Sequence, residues 1–278
     1  MDRNLIFSFE LFGKQLSVYW YGVMIAIGIL GCFALMMLYF KYAKFETKFA
    51  DFCFYLVIAS IICGFLFAAL FQAFYNFLDN PSGGFKIGGG LTFIGGLIGG
   101  VGFYLIVYAF CRTKFNDRLP KLLPILGPCV TIAHGFGRIG CFIAGCCYGK
   151  PTCSNYGCYF DTAEKVHPTQ LYEAIFLLIL CSVLTFIAFK YKSNEKGVAF
   201  NEYNVAIYLI AYGTFRFINE FFRGDDRGKL FGAIPPSQFW AVVMLLLGIG
   251  YIFAIKHRLF DKFGRWLDIK KNNRRVKK

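Results

Sequence analysis

The sequence predicts an all-α polytopic membrane protein of about seven transmembrane helices, and three observations carry that prediction. Of the 278 residues, 57% are hydrophobic and 20% aromatic, with a mean hydropathy of +0.54. That is too apolar for a soluble domain of this length. Apolar runs of about 20 residues, the length that crosses a bilayer, recur along the whole chain. The formal charge of +14 is gathered outside those runs, and ten of the thirty Lys and Arg follow residue 255. A basic tail beside a span meets anionic lipid headgroups, so membrane lipids are expected partners and nucleic acid is not.

The runs lie at 18–40, 51–78, 89–111, 120–143, 168–189, 203–222 and 236–256. Twenty of the thirty Lys and Arg fall in the tail, in the loops after the first, third and fifth runs or, as Lys121 and Lys256, at the edges of runs on that same side. Eight fall in the N-terminus and the other loops, and Arg138 and Arg216 lie inside runs. The positive-inside rule then puts the N-terminus outside and the C-terminus in the cytoplasm. The chain reads as a single integral membrane domain over 1–278. It carries an extracytoplasmic cysteine-rich loop at 145–167 and a basic cytoplasmic tail at 257–278. Asp2, Arg3, Glu10 and Lys14 interrupt the first residues, so the first run is expected to act as an uncleaved signal.

The first run opens with Tyr19, Trp20 and Tyr21, which suit a membrane interface. Its Gly22, Gly28 and Gly31 permit close helix packing. Gln72 and Asn76 share a face of the second run, where hydrogen bonds to a neighbouring helix are expected. Residues 88–102 read GGGLTFIGGLIGGVG, with eight glycines. The pairs Gly95–Gly99 and Gly96–Gly100 are small-xxx-small spacings. Tight packing is the expected use, and a backbone groove for lipid or peptide is the alternative. Pro120, Pro124 and Pro128 predict an irregular or kinked fourth helix.

Arg138 is the anomaly of the fourth run. A charge inside a membrane segment is expensive and points to a functional site. His134, Arg138 and Cys141 stand at i, i+4 and i+7, on one helix face. The planar guanidinium fork suits a phosphate. The alternative is a buried ion pair with Glu173 or Glu220. The fifth run opens HPTQLYE from His167, and the sixth closes RFINEFFR from Arg216. Arg216 and Glu220 have the spacing of an intrahelical salt bridge. By the predicted orientation these three helix ends face outward together.

Cys141, Cys146, Cys147, Cys153 and Cys158 crowd the outward loop. An extracytoplasmic position favours disulfides, with Cys153–Cys158 able to close a small ring and Cys146 or Cys147 able to pair as well. Zinc is the competing reading, although the spacings form no clean paired CxxC. A thiol–disulfide enzyme is a third. The other six cysteines lie in apolar runs and are expected to pack as small hydrophobes.

GRIG with its following glycines, HPTQLYE, RFINEFFR, the Tyr21-Gly22 pair and the GGLIGG of the third run resemble the motifs of the bacterial prolipoprotein diacylglyceryl transferases. The resemblance implies a seven-span enzyme of the bacterial inner membrane, active in lipoprotein biosynthesis. It implies transfer of diacylglyceryl from phosphatidylglycerol to the lipobox cysteine of a preprolipoprotein, with release of glycerol phosphate. Tyr21, Arg138, Gly140, Gly149, His167, Gln170, Tyr172, Glu173, Arg216, Glu220 and Arg223 match positions the family uses. The chain departs from the pattern at Ile94, where the family has histidine. It departs again at Cys141, Ala144 and Cys146, where the family has two asparagines and a glutamate.

On this reading Arg138 and Arg216 hold the phosphate, with Gln170, Tyr172, Glu173, Arg223, Gly140 and Gly149 binding substrate around them. His167, His134, Glu220 and Tyr21 are the catalytic candidates, the imidazoles as bases for the thiol proton. His134 is expected to supply the imidazole lost at Ile94. No cofactor and no metal enter this scheme. The alternatives are a phospholipid-dependent transferase with another acceptor, and a membrane thiol-redox or transport protein using the cysteine loop.

Overall fold

In the computed structural model of the chain, residues 4–11, 14–79, 81, 84–87, 92–111, 114, 119–190, 200–224, 235–259 and 262 are described. They fall into two compact units, residues 40–122 and residues 1–39 with 123–278. The helices are α1 (Trp20–Tyr42), α2 (Thr47–Asp79), α3 (Phe93–Cys111), α4 (Leu123–Ile143), α5 (Thr169–Lys190), α6 (Asn204–Asn219) and α7 (Pro236–Lys256). Each coincides with one of the seven apolar runs to within a few residues. Five are long and apolar enough to cross a membrane: α1, α2 over Thr47–Phe77, α4, α5 and α7. The sixteen-residue α6 is shorter, and α3 offers the apolar stretch Ile98–Cys111. Leu30, Met37, Ile179, Leu246 and Phe253 are more than half exposed, along with many other large apolar side chains. Apolar surface on this scale is solvated by lipid. The chain is an α-helical, multi-pass membrane protein.

The N-terminus differs from expectation. Strands β1 (Leu5–Leu11) and β2 (Lys14–Tyr19) pair as an antiparallel hairpin that runs straight into α1. Asn4 anchors the junction. Its carbonyl accepts from Trp20 N at 2.8 Å, and its Oδ1 accepts from Tyr21 N at 3.1 Å. The alternation of Ser8 and Glu10 with Phe7, Phe9 and Leu11 is the period-two signal of a strand.

Within the unit of residues 40–122, α2 packs along α3. A Cβ added at Gly95 would stand 2.7 Å from the Phe67 carbonyl oxygen, and one at Gly100 would stand 3.2 Å from that of Ser60. The glycine run therefore serves helix packing rather than an open groove. Gln72 donates to Asn76 Oδ1 at 2.9 Å, and Thr92 donates to Gln72 Oε1 at 3.1 Å. The polar pair thus ties α2 to the start of α3. The side chain of Ile94 lies outside the described residues.

In the other unit, α5, α6 and α7 pack around Leu177, Leu180, Leu184 and Tyr212, and Gly127 and Gly135 of α4 close on Leu184 and Leu177. Of the three glycines of α1, two abut α4: a Cβ at Gly28 would meet the Ala133 backbone at 3.0 Å, and one at Gly31 would meet Ile132. The fourth run starts irregularly, as expected, with a 3-10 turn at Leu119–Leu122. Pro128, however, sits inside α4 without ending it. Proline at this position leaves the carbonyl of Pro124 without its helical donor. Asn204 of α6 replaces that donor, its Nδ2 lying 2.8 Å from Pro124 O and 2.9 Å from Leu184 O. One fully buried amide thereby joins α4, α5 and α6.

Candidate active site

Glu173, one turn into α5, is fully buried and collects three partners on one oxygen. Arg138 Nε lies 3.0 Å from Glu173 Oε1. The Tyr212 hydroxyl donates to the same oxygen at 2.6 Å, and His134 Nε2 lies 3.5 Å from it. His134 also packs edge-on against the Tyr212 ring, with its Nε2 3.5 Å from the hydroxyl. A buried carboxylate is tolerable when a guanidinium and hydroxyl neutralise and bond it. The ion-pair alternative for Arg138 is therefore realised, with Glu173 as the partner. The pair is made through Nε.

The end of α6 builds the adjoining part. Arg216 Nη2 donates to Ser237 Oγ of α7 at 2.8 Å. It also lies 2.9 Å from Glu220 Oε2, an ion pair by distance that lacks hydrogen-bond alignment. Arg223 Nε lies 3.8 Å from the same Glu220 oxygen. The i,i+4 bridge expected from the sequence is thus present. Gln170 Oε1, Glu173 Oε2, Arg216 Nη1 and Asn219 Nδ2 are buried without a hydrogen-bond partner. Each such atom costs about 1–3 kcal/mol, so the first turn of α5 and the last turn of α6 each present unsatisfied groups that a polar ligand could bond.

The loop between α4 and α5 is pinned to these helix ends. Gly149 N donates to His167 O at 2.8 Å, Lys150 N donates to Phe222 O at 2.8 Å, and Gly149 bridges to Arg223. A Cβ at Gly149 would collide with Phe222, His167 and Thr169 together, so only glycine lets the three segments meet. Gly140 plays a like part, since its missing Cβ admits the Tyr21 ring of α1 at 3.0 Å. His167 Nδ1 lies 3.3 Å from the Tyr172 hydroxyl, and its ring packs edge-on against Phe222.

No disulfide joins any cysteines among the described residues, Cys153 and Cys158 included. Cys158 instead pairs through its backbone with Val166, its N 3.0 Å from Val166 O. The sulfurs that come together are those of Cys141, Cys146 and Cys147, all within 4.8 Å of one another.

Residues 7–254 match the family model described as prolipoprotein diacylglyceryl transferase. The chain belongs to this family. It is 39% identical over 256 residues to the phosphatidylglycerol--prolipoprotein diacylglyceryl transferase of Clostridium tetani, covering 89% of this chain and 96% of that one. It is 36% identical over 249 residues to the enzyme so named in Rickettsia africae, with 86% and 92% covered. It is 33% identical over 250 residues to phosphatidylglycerol--prolipoprotein diacylglyceryl transferase 2 of Clostridium perfringens, with 86% and 91% covered.

The family motifs therefore meet in space as well as in order. Arg138 of GRIG touches Glu173 of HPTQLYE, and HPTQLYE touches the Cys146–Gly149 segment through Gln170, Thr169 and His167. Arg216, Glu220 and Arg223 of RFINEFFR form one linked set. The geometry adds Tyr212, Ser237 and Asn204 to the residues singled out from sequence. Tyr212 and Arg216 stand at i and i+4 on α6, a spacing that marks Tyr212 as sharing the arginine's face.

Proposed function

We propose that this chain transfers the diacylglyceryl group of phosphatidylglycerol to the lipobox cysteine of prolipoproteins, releasing glycerol phosphate. The observation that carries this reading is the buried Arg138–Glu173 pair of α4 and α5, together with the second buried arginine, Arg216, paired to Glu220 at the end of α6. The acceptor sulfur forms a bond to the glyceryl carbon as that carbon's bond to the phosphate oxygen breaks. The electron pair leaves on the phosphate, where charge must be met. The Nη donors of Arg138 and the unpartnered, buried Nη1 of Arg216 supply it. Glu173 and Glu220 hold the two arginines in place, and Tyr212 fixes Glu173.

His134 receives the thiol proton in this scheme, as the imidazole on Arg138's helix face. His167, Tyr21 and Glu220 line the same outer end as binding and proton-handling groups. Gln170, Tyr172 and Arg223 surround the phospholipid headgroup. The chain works as one inner-membrane domain of seven spans, with α3 and α6 completing the set. Its N-terminus and the 145–167 loop lie outside, and its basic tail lies inside, where the Lys and Arg asymmetry favours them. The test is release of labelled glycerol phosphate from phosphatidylglycerol by the purified protein with a lipobox peptide. Release is expected with the cysteine peptide and not with its serine counterpart. No release with either peptide contradicts the reading.

A further inference from the structure

The three sulfurs of Cys141, Cys146 and Cys147 lie outside every role assigned above. They come from two places, the last turn of α4 and the turn after it, and converge within 4.8 Å of one another. The convergence is built. Cys147 takes a positive φ of 63°, a conformation costing a non-glycine residue about 1–2 kcal/mol. Two side chains at the start of α5, both buried, then lock the backbone of the paired cysteines. Gln170 Nε2 donates to Cys146 O at 2.6 Å, and Thr169 Oγ1 donates to Cys147 O at 2.9 Å.

Two chemistries use thiols at this range. A disulfide consumes two and leaves the third odd, and the structure forms none among the described residues. A soft cation uses all three. Zinc–sulfur bonds of about 2.3 Å in a tetrahedron place sulfurs about 3.8 Å apart, so shifts of about 1 Å would bring these thiols onto one ion. Three protein ligands with a fourth position open is the coordination of a reactive zinc centre rather than a closed structural one. The cluster also sits at the right place. Cys141 is one turn beyond Arg138 on α4, Tyr21 packs on the intervening Gly140, and Cys146 is exposed.

We propose that Cys141, Cys146 and Cys147 bind one soft divalent cation of the zinc class, whose fourth position takes the acceptor thiol. This rests on the transfer reaction proposed above. A thiol bound to such a cation is held as thiolate, which is the form that attacks carbon. Its proton passes to His134. The sulfur then bonds to the glyceryl carbon, the carbon–oxygen bond to phosphate breaks, and the electron pair leaves with glycerol phosphate. No oxidant or reductant enters.

The test uses the full chain in detergent, reduced and stripped of metal, titrated with Co2+ as a spectroscopic probe. One equivalent is expected, with a thiolate-to-cobalt charge-transfer band. The band is expected to be lost in Cys141→Ser, Cys146→Ser and Cys147→Ser and kept in Cys153→Ser and Cys158→Ser. Circular dichroism identifies any variant that fails to fold. As a measurement free of variants, Zn2+ should protect three thiols of the native chain from alkylation. A lipobox peptide should strengthen the band by adding a fourth thiolate, and its serine counterpart should leave it unchanged. Absence of stoichiometric binding, absence of protection, a disulfide among the three, or a spectrum indifferent to the cysteine peptide would each overturn the proposal. These readings need no phosphatidylglycerol, so failure of turnover would count against the transfer reading alone.

Discussion

Asn204 donates from α6 to the carbonyl of Pro124 at 2.8 Å, the acceptor that Pro128 leaves without its own helical N–H. The same amide holds Leu184 O at 2.9 Å. Asn204→Ala removes both bonds and strands the buried Pro124 carbonyl, at about 1–3 kcal/mol, while Leu184 O keeps its own helical donor and loses only the second bond, at about 0.5–1.5 kcal/mol. A destabilisation of about 2–4 kcal/mol is expected, read as a lower unfolding midpoint in detergent. A midpoint equal to wild type would show that Asn204 is not the tie between α4, α5 and α6.

Arg138→Lys keeps the charge beside Glu173 and removes the fork. An ammonium can face the carboxylate or the phosphate, not both in the same geometry. The variant is expected to fold and to lose about 100-fold or more in turnover. Near-wild-type turnover would reduce Arg138 to an ion-pair partner.

Glu173→Gln leaves Arg138 buried without its counter-charge. Breaking one side of a buried pair costs about 3–5 kcal/mol, so this variant is expected to be less stable than the double variant Arg138→Gln/Glu173→Gln. A double-mutant cycle reads the coupling directly. Strict additivity would mean that the 3.0 Å contact contributes nothing.

His134→Gln is expected to be inactive, read as loss of glycerol phosphate release from phosphatidylglycerol with the lipobox peptide. Full activity in His134→Gln would move the proton-accepting role to His167 or Glu220.

Thiol labelling of single cysteines placed at Asn155 and Lys270 is expected to find the first outside and the second in the cytoplasm. Both on one side would remove the orientation on which the outward-facing site depends.

Much of this was legible in the sequence. The helices follow the apolar runs because a bilayer demands length and hydropathy, and both are written locally. Arg138 declared itself because charge is rare at that depth, and Glu173 was one of its two foreseen partners. Tyr212 was not singled out, because its role depends on facing Glu173 across two helices and the chain holds seventeen tyrosines. Asn204 was hidden for the same reason, since its acceptors lie 80 and 20 residues away. The N-terminal hairpin was missed although Phe7, Phe9 and Leu11 alternate with Ser8 and Glu10. The cysteine loop suggested disulfides by its compartment. Which thiols converge depends instead on the turn after α4, with Gly145 and Cys147 both at positive φ.

The account stands or falls on one product. Purified protein, phosphatidylglycerol and a lipobox peptide are incubated together, and the peptide is analysed by mass spectrometry. The expected product is a peptide heavier by one diacylglyceryl group, attached to the cysteine as a thioether and absent in the Arg138→Ala reaction. An unmodified peptide from well-folded wild-type protein, or a peptide modified elsewhere than at cysteine, would contradict it.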